Sequence, residues 1–351
     1  MGEAIITRRG GTLKITGQTE EIVRFGEAIN KYDPVYVKFV GTKLSDPSTL
    51  PTSSGNGVAF DPTGTYLAVA HYNSPYITIY KRSGDTFTKL TDPAILPAST
   101  GEGCAFDPTG TYLVVAHSSS PYITIYKRSG DTFTKLTDPA ILPAGNGRGV
   151  AFDSTGTYLA VAHEGSPYIT IYKRNGDTFT KLSNPSTLPT GAGYGVAFDP
   201  TGTYLAVAHG SSPYITIYKR SGDTFTKLTN PATVPTGIGY GVAFDSTGTY
   251  LAVAHNTSPR ITIYKRSGDT FTKLTDPATV PTGTGYGVAF DPTGTYLAVA
   301  HGTSPRITIY KTTLSCISSN LVSDLSGTIK AGYAKESGIA GENKKIVVIF
   351  R

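Results

Sequence analysis

The sequence predicts an all-β protein: a six-bladed β-propeller with four-stranded blades, joined to a small β unit made from both chain ends. Three observations predict it. The segment GVAFDPTGTYLAVAH at 57–71 returns with few changes beginning at residues 103, 149, 195, 241 and 287, a spacing of 46 residues. Each period holds four short strand-like runs separated by turn residues, the signature of a propeller blade. The composition suits many short strands and tight turns, with 23 Tyr, 40 Gly and 23 Pro, no Trp and one Met.

The first period shows how each element arises. Gly57–Phe60 is a short apolar strand. In the DPTG turn that follows, Asp61 accepts hydrogen bonds from the turn backbone, Pro62 presets φ and Gly64 tolerates positive φ. Tyr66–His71 and Tyr76–Lys81 are β-branched and aromatic throughout and read as the second and third strands. Ser83-Gly84-Asp85 turns the chain into a fourth strand, Thr86–Leu90.

The last period runs through ITIYK at 307–311 and then lacks the SGDTFTKL segment. Its counterpart stands at the other end, where VYVKFVGTKL at 35–44 leads into SDPSTLP as later units lead into TDPAILP. The expected ring therefore closes with three C-terminal strands and one N-terminal strand, a clasp that removes exposed strand edges. This divides the chain into an N-terminal half of a docking unit at 1–34, the propeller at 35–311, and the C-terminal half of the docking unit at 312–351.

The pattern FDPTGTYLAVAH…ITIYK resembles the WD-repeat and lactonase-like propeller families over about 57–311. It departs from the WD pattern in having Tyr80-Lys81 where a Trp-Asp pair would stand, and in lacking a Gly-His dipeptide before the first strand. The hydrogen-bond network of WD repeats therefore does not carry over unchanged.

The ends match a different pattern. GEAINKYDPVYV at 26–37 and GTIKAGYAKESGIAGENKKIVVIF at 327–350 resemble small β domains of bacteriophage virion proteins, such as capsid decoration proteins and fibre bases. The residues that carry this are Gly26, Glu27, Ala28, Ile29 and Asp33-Pro34-Val35-Tyr36, then Gly332, Ala334, Glu336, Ser337, Ala340, Gly341 and Glu342. The resemblance implies a virion protein assembled in the host cytoplasm and oligomeric on the particle. Its ends would dock onto other virion proteins, and its propeller would be displayed toward a host-surface glycan or protein. Strands or tails that simply pack on a stand-alone propeller are the other reading of the same segments.

Composition narrows the function further. The net charge of +6 resides mostly in the ends, and the repeat region is almost neutral with no basic stripe, so nucleic acid is not an expected partner. There is no run of 18 apolar residues and no apolar stretch behind Arg8 and Arg9, so neither membrane insertion nor a cleaved leader is expected. Two cysteines, Cys104 and Cys316, make no disulfide framework. Cys104 replaces a repeat valine and reads as a small buried hydrophobe.

The six histidines (His71, His117, His163, His209, His255, His301) are one position of the repeat. Each closes a second strand, so the copies lie far apart around the ring, and a hydrogen bond within the blade fits them better than a metal. GAGYG, GIGYG and GTGYG at 191–195, 237–241 and 283–287 run into strands rather than helices, which favours tight turns over phosphate binding. No catalytic set stands out because every candidate occurs six times, whereas active sites on a ring gather unlike residues. The expectation is a non-enzymatic binding protein needing no cofactor or metal; the alternative is a lactonase-like hydrolase or an interaction scaffold.

Differences between copies point to a binding face. The DPTGTY and RSGDTFTKL turns barely vary, whereas the residues after each His and the loop into each first strand do. Just before the first strands stand Asn56, Glu102, Arg148, Tyr194, Tyr240 and Tyr286, expected to ring one mouth of the central channel. At the head of the third strands, Tyr76, Tyr122, Tyr168 and Tyr214 are set against Arg260 and Arg306. Permissive drift in these loops explains the variation equally well.

Overall fold

The computed structural model describes residues 44–311, and every regular element in them is a strand. Each of the first five repeats forms a four-stranded antiparallel sheet in chain order; in blade 1 these strands are Gly55–Phe60, Tyr66–His71, Ile77–Ser83 and Thr86–Lys89. Blade 6 contributes Gly285–Phe290, Tyr296–His301 and Ile307–Lys311. The clasp expected at 35–44 and the docking unit expected at 1–34 and 312–351 lie outside the described residues, apart from Leu44.

The core lies between blades. Alternation along the second strand of blade 3 sends Tyr158, Ala160 and Ala162 to one face and Leu159 and Val161 to the other, so that an inner sheet is covered on both sides. From blade 3, Tyr158, Ala160, Ala162, Ile169 and Ile171 pack against Val196, Leu205, Val207, Tyr218 and Phe225 of blade 4. The same set recurs one blade on, with Tyr204, Ala206, Ala208, Ile215 and Ile217 against Val242, Leu251, Val253, Tyr264 and Phe271. Burying an Ile or Leu this fully is worth about 1.5–3 kcal/mol.

At the rim, polar bonds lock neighbouring blades. Tyr66 Oη donates to Asp131 Oδ1 at 2.6 Å, Lys81 Nζ meets Asp131 Oδ2 at 2.8 Å, and the Arg128 guanidinium stands 4.5 Å over the Tyr66 ring. Asp131 thus belongs to a turn of blade 2 yet is held by two side chains of blade 1. The pattern repeats with Tyr112, Lys127 and Asp177, and on to Tyr204, Lys219 and Asp269.

The DPTG turn forms as its residues predict. Asp61 Oδ1 accepts from the Tyr66 N–H at 2.7 Å, Oδ2 accepts from the Thr63 hydroxyl at 2.6 Å, and Gly64 has φ +67°. The histidines also bond within their own blades. Nε2 lies 2.9–3.0 Å from the hydroxyl of Thr78, Thr124, Thr170, Thr216, Thr262 or Thr308 on the adjacent strand.

Three local expectations are corrected. The third strand starts at Ile77, since Tyr76 and its five counterparts take φ of +66° to +72°, outside the extended range. Cys104 is half-buried rather than buried, and its thiol, pushed up to about 12 by burial, stays protonated. Of the GAGYG glycines only Gly191 lies in the bend before the strand, whereas Gly193 and Gly195 belong to the strand itself. A Cβ on Gly195 would come 2.5 Å from the Tyr240 carbonyl oxygen and 3.2 Å from the Gly241 Cα of the next blade. Gly195→Ala is expected to push blades 4 and 5 apart and lower stability by roughly 2 kcal/mol. Denaturant unfolding against wild type checks this, and an unchanged midpoint would refute it.

Burial depresses the pKa of His163, His209 and His255 to about 4. Between pH 6.5 and 4 the unfolded chain therefore binds protons that the folded chain refuses. Their contribution is complete above pH 6.5 and is lost as pH falls toward 4, up to about 3 kcal/mol for each histidine. Melting temperature followed across this range is expected to drop, and His209→Gln is expected to flatten the fall.

Candidate functional site

The six residues expected to ring one mouth share a backbone peculiarity. In each blade the first strand carries a bulge: Gly55 pairs with His71 and Gly57 with Ala70, leaving Asn56 without a partner. Glu102, Arg148, Tyr194, Tyr240 and Tyr286 are the bulged residues of the following blades. A bulge frees a side chain from the alternation of the strand and re-aims it. The flanking glycines permit the close packing around it, as in GNG, GEG, GRG and GYG.

The post-His loops stand beside these bulges. Tyr72 N–H donates to Ser54 O, Glu164 N–H to Asn146 O and Gly302 N–H to Thr284 O, so the two variable segments form one surface. Arg260 and Arg306 serve this surface from below by donating to the carbonyls of Asn256 and Gly302 at 2.6 and 2.5 Å.

Side-chain contacts join Glu102 to Arg148 and the three tyrosines to one another, and they divide the mouth into unlike arcs. Asn56 Nδ2 donates to Gly101 O at 2.9 Å. Arg148 Nη1 meets Glu102 Oε2 at 2.9 Å, and its Nε donates to Glu164 Oε1 at 2.8 Å, an oxygen also bonded by Nη2. Asn146 Nδ2 holds the other Glu164 oxygen at 2.9 Å. Beyond Arg148 come three tyrosines, with ring centroids 5.2 Å apart for Tyr194 and Tyr240 and 5.6 Å for Tyr240 and Tyr286, tilted at 50° and 52°. No hydrogen bond or ring contact joins Arg148 to Tyr194 among the described residues. Gly210 and Gly302 lie under the outer rings, where a Cβ would stand 3.3 Å from Cε2 of Tyr194 or Tyr286.

Electrostatics separate the two arcs further. Burial works against the Arg148 cation, but Glu164 and Glu102 more than offset it and raise its pKa. Burial also raises the Tyr240 phenol, with Tyr194 and Tyr286 adding to the effect, so it remains a hydroxyl donor. Glu164 is fully engaged, whereas Glu102 has one oxygen without a partner among the described residues. Sequence reasoning placed Glu164 only among the variable residues after the histidines and did not single out Asn146, because neither stands at the ring position. Their signal was the coincidence of an acid after His163 with a base at 148.

At the opposite ends of the first strands a cavity of about 330 Å³ opens among Phe152, Phe198, Phe244 and Phe290. Its carboxylates Asp199, Asp245 and Asp291 are consumed by their own turns, each accepting from a Thr hydroxyl and a Tyr N–H. The Glu–Arg–Glu arc and the tyrosine arc therefore make the bulge-side mouth the better candidate for chemistry.

No protein-family model matches the sequence, nor does any curated protein. Solved structures do match the fold. A periplasmic gluconolactonase from Pseudomonas aeruginosa aligns with a TM-score of 0.60 at 15% identity, over 75% of this chain and 83% of that one. A candidate 6-phosphogluconolactonase from Bacteroides uniformis aligns at 0.60 and 17%, over 76% and 83%. The propeller domain of Cps50 (Swd1) from Myceliophteria thermophila aligns at 0.54 and 12%, over 74% and 84%. The chain is thus a six-bladed propeller similar to both lactonase and WD-repeat propellers. The expectation of a non-enzymatic protein is corrected, since propellers of this fold are named as lactonases. Its premise fails as well: the six copies are not equivalent at the mouth, where Glu102, Arg148, Asn146 and Glu164 converge as unlike residues. The virion resemblance lies outside the described residues, and the matched structures do not bear on it.

Since the tyrosine arc stands on a scaffold held by interblade packing, combined Tyr194→Ala, Tyr240→Ala and Tyr286→Ala is expected to shift the melting temperature by only a few degrees. Calorimetry checks this. A collapse of the transition would instead make the arc part of the core.

Proposed function

We propose that the protein is a lactonase-like propeller whose bulge-side mouth binds and hydrolyses a cyclic ester of a polyhydroxylated acid. The observation that carries the reading is the half-buried Arg148 gripped between two glutamates, next in the ring to three adjoining tyrosine rings. Tyrosines offer flat apolar faces to a sugar-like ring and hydroxyls to its substituents. The lactonases that share the fold support the same reaction class.

In this reading Glu102, through its free oxygen, takes a proton from water as the oxygen attacks the lactone carbonyl carbon. The Arg148 guanidinium faces the charge that develops on the carbonyl oxygen, held in place by Glu164 and Asn146. The tetrahedral species collapses by breaking the ring C–O bond, and the departing oxygen recovers the proton from Glu102. The product is the open hydroxy acid.

The test is glucono-δ-lactone hydrolysis followed at constant pH, with the spontaneous rate subtracted. Glu102→Gln is expected to lower kcat by on the order of 100-fold with the fold intact. Tyr240→Ala is expected to raise KM more than it lowers kcat. A wild-type rate equal to the spontaneous one across several δ- and γ-lactones would sink the reading. The terminal phrases at 26–37 and 327–350 support a separate proposal, attachment to a phage particle with virion proteins as partners and a host-surface glycan or protein as the mouth's target. Failure of the chain to co-sediment with particles would remove that proposal without touching the hydrolase.

A further inference from the structure

The row of bulged residues runs on past the ion cluster. The first strands of blades 3 to 6 stand side by side. A Cβ on Gly149 would lie 2.8 Å from the Tyr194 carbonyl oxygen, one on Gly195 2.5 Å from that of Tyr240, and one on Gly241 2.9 Å from that of Tyr286. Arg148, Tyr194, Tyr240 and Tyr286 thus follow one another along an arc, one from each strand. Three consecutive blades hold tyrosine at this position, whereas the other three hold Asn56, Glu102 and Arg148. Tyr286 stands two centroid steps beyond Tyr194, of 5.2 and 5.6 Å. A single lactone ring placed against Glu102 and Arg148 does not extend that far.

The arc has the surface that a carbohydrate chain fits. Tyrosine offers a flat apolar face to C–H groups and a hydroxyl to neighbouring substituents, and it has few rotamers to lose. Gly210 and Gly302 let the outer rings lie close over the loops after the histidines. Tyr194 and Tyr240 remain half-buried and Tyr286 exposed, so none is lost to the core. The centroid steps are close to the step from ring to ring along a glycan, and tilts of 50° and 52° bend the row around the mouth. Burial keeps the Tyr240 phenol protonated, and the arginines of this face are engaged. Arg148 meets two glutamates, while Arg260 and Arg306 donate to the carbonyls of Asn256 and Gly302. Two carboxylates against one guanidinium leave the ion cluster net negative, which disfavours a phosphate on the substrate.

We infer that the tyrosine arc is a row of sugar subsites and that the substrate is an uncharged oligosaccharide whose terminal ring is the lactone. The lactone ring lies at Glu102 and Arg148, and the rings that follow lie along Tyr194, Tyr240 and Tyr286. The lactone end of this substrate rests on the hydrolase reading, whereas the subsites rest on the arc alone. Glucono-δ-lactone, with one ring, fills only the first place.

The test gives the full chain the δ-lactones of glucose, of maltose or cellobiose, and of maltotriose or cellotriose, with spontaneous rates subtracted. In at least one of the two series kcat/KM is expected to rise roughly tenfold with each added ring. Tyr286→Ala is expected to lower the ratio of the three-ring to the one-ring kcat/KM about tenfold. Should that variant fail to fold, Tyr286→Leu removes the aromatic face and keeps the bulk. Maltotriose and cellotriose themselves hold no ester and probe the subsites apart from hydrolysis. Calorimetry is expected to show one of them binding about tenfold tighter than glucose or more, and less tightly to the Tyr286 variant. A kcat/KM independent of length in both series, or highest for glucono-δ-lactone bearing a phosphate, overturns the inference and leaves the hydrolase standing. Trisaccharide binding that depends on Tyr286, with no lactone hydrolysed, sinks the hydrolase and upholds the subsites. Neither binding nor hydrolysis overturns both.

Discussion

The structure depends on blades packing closely enough for backbone to meet backbone. At the inner edge of each interface a glycine of one first strand lies against the chain of the next, and no side chain fits there. Outward from that edge, alternation supplies alanines and isoleucines from one sheet and leucine, valine, tyrosine and phenylalanine from its neighbour. The small residues let the sheets approach; the large ones fill the widening wedge. A tyrosine and a lysine holding the next blade's aspartate then close the rim. Each inner sheet is covered on both faces, so no blade has a complete core by itself.

That dependence also accounts for where the chain varies. The DPTG and SGD turns participate in the packing: the aspartate of the first binds its own loop, and the aspartate of the second binds the previous blade. Their sequences barely drift because each change would disturb a neighbour. The bulged residue of the first strand and the loop after the histidine answer to no such demand. They can carry a glutamate in one blade, an arginine in the next and tyrosines in three more. A symmetric scaffold thereby acquires an asymmetric mouth, with an ion cluster on one arc and adjoining, mutually tilted phenols on another.

The two mouths of the channel illustrate how residue type misleads without partners. The phenylalanine side carries a ring of aspartates and a cavity, yet every one of those carboxylates is spent on a turn. The bulge side carries fewer acids, but among the described residues Glu102 keeps an oxygen free beside a guanidinium fixed from the other side by Glu164. Chemistry depends on what remains unsatisfied after folding, and by that criterion the second mouth is the stronger site.

The repeat, the strands of each blade, the turn chemistry and the role of the histidines were all determined by the sequence, because each rests on local pattern: a period of 46, alternation, and residues with fixed φ preferences. The ring position of Asn56, Glu102, Arg148 and the three tyrosines was likewise readable from comparing copies. Only the tertiary structure decided that these residues sit on bulges and that Glu164 and Asn146 join Arg148. Those facts depend on which residue of one blade reaches which residue of the next. Contacts between residues tens of positions apart follow from how closely two sheets pack, and no single repeat contains that information.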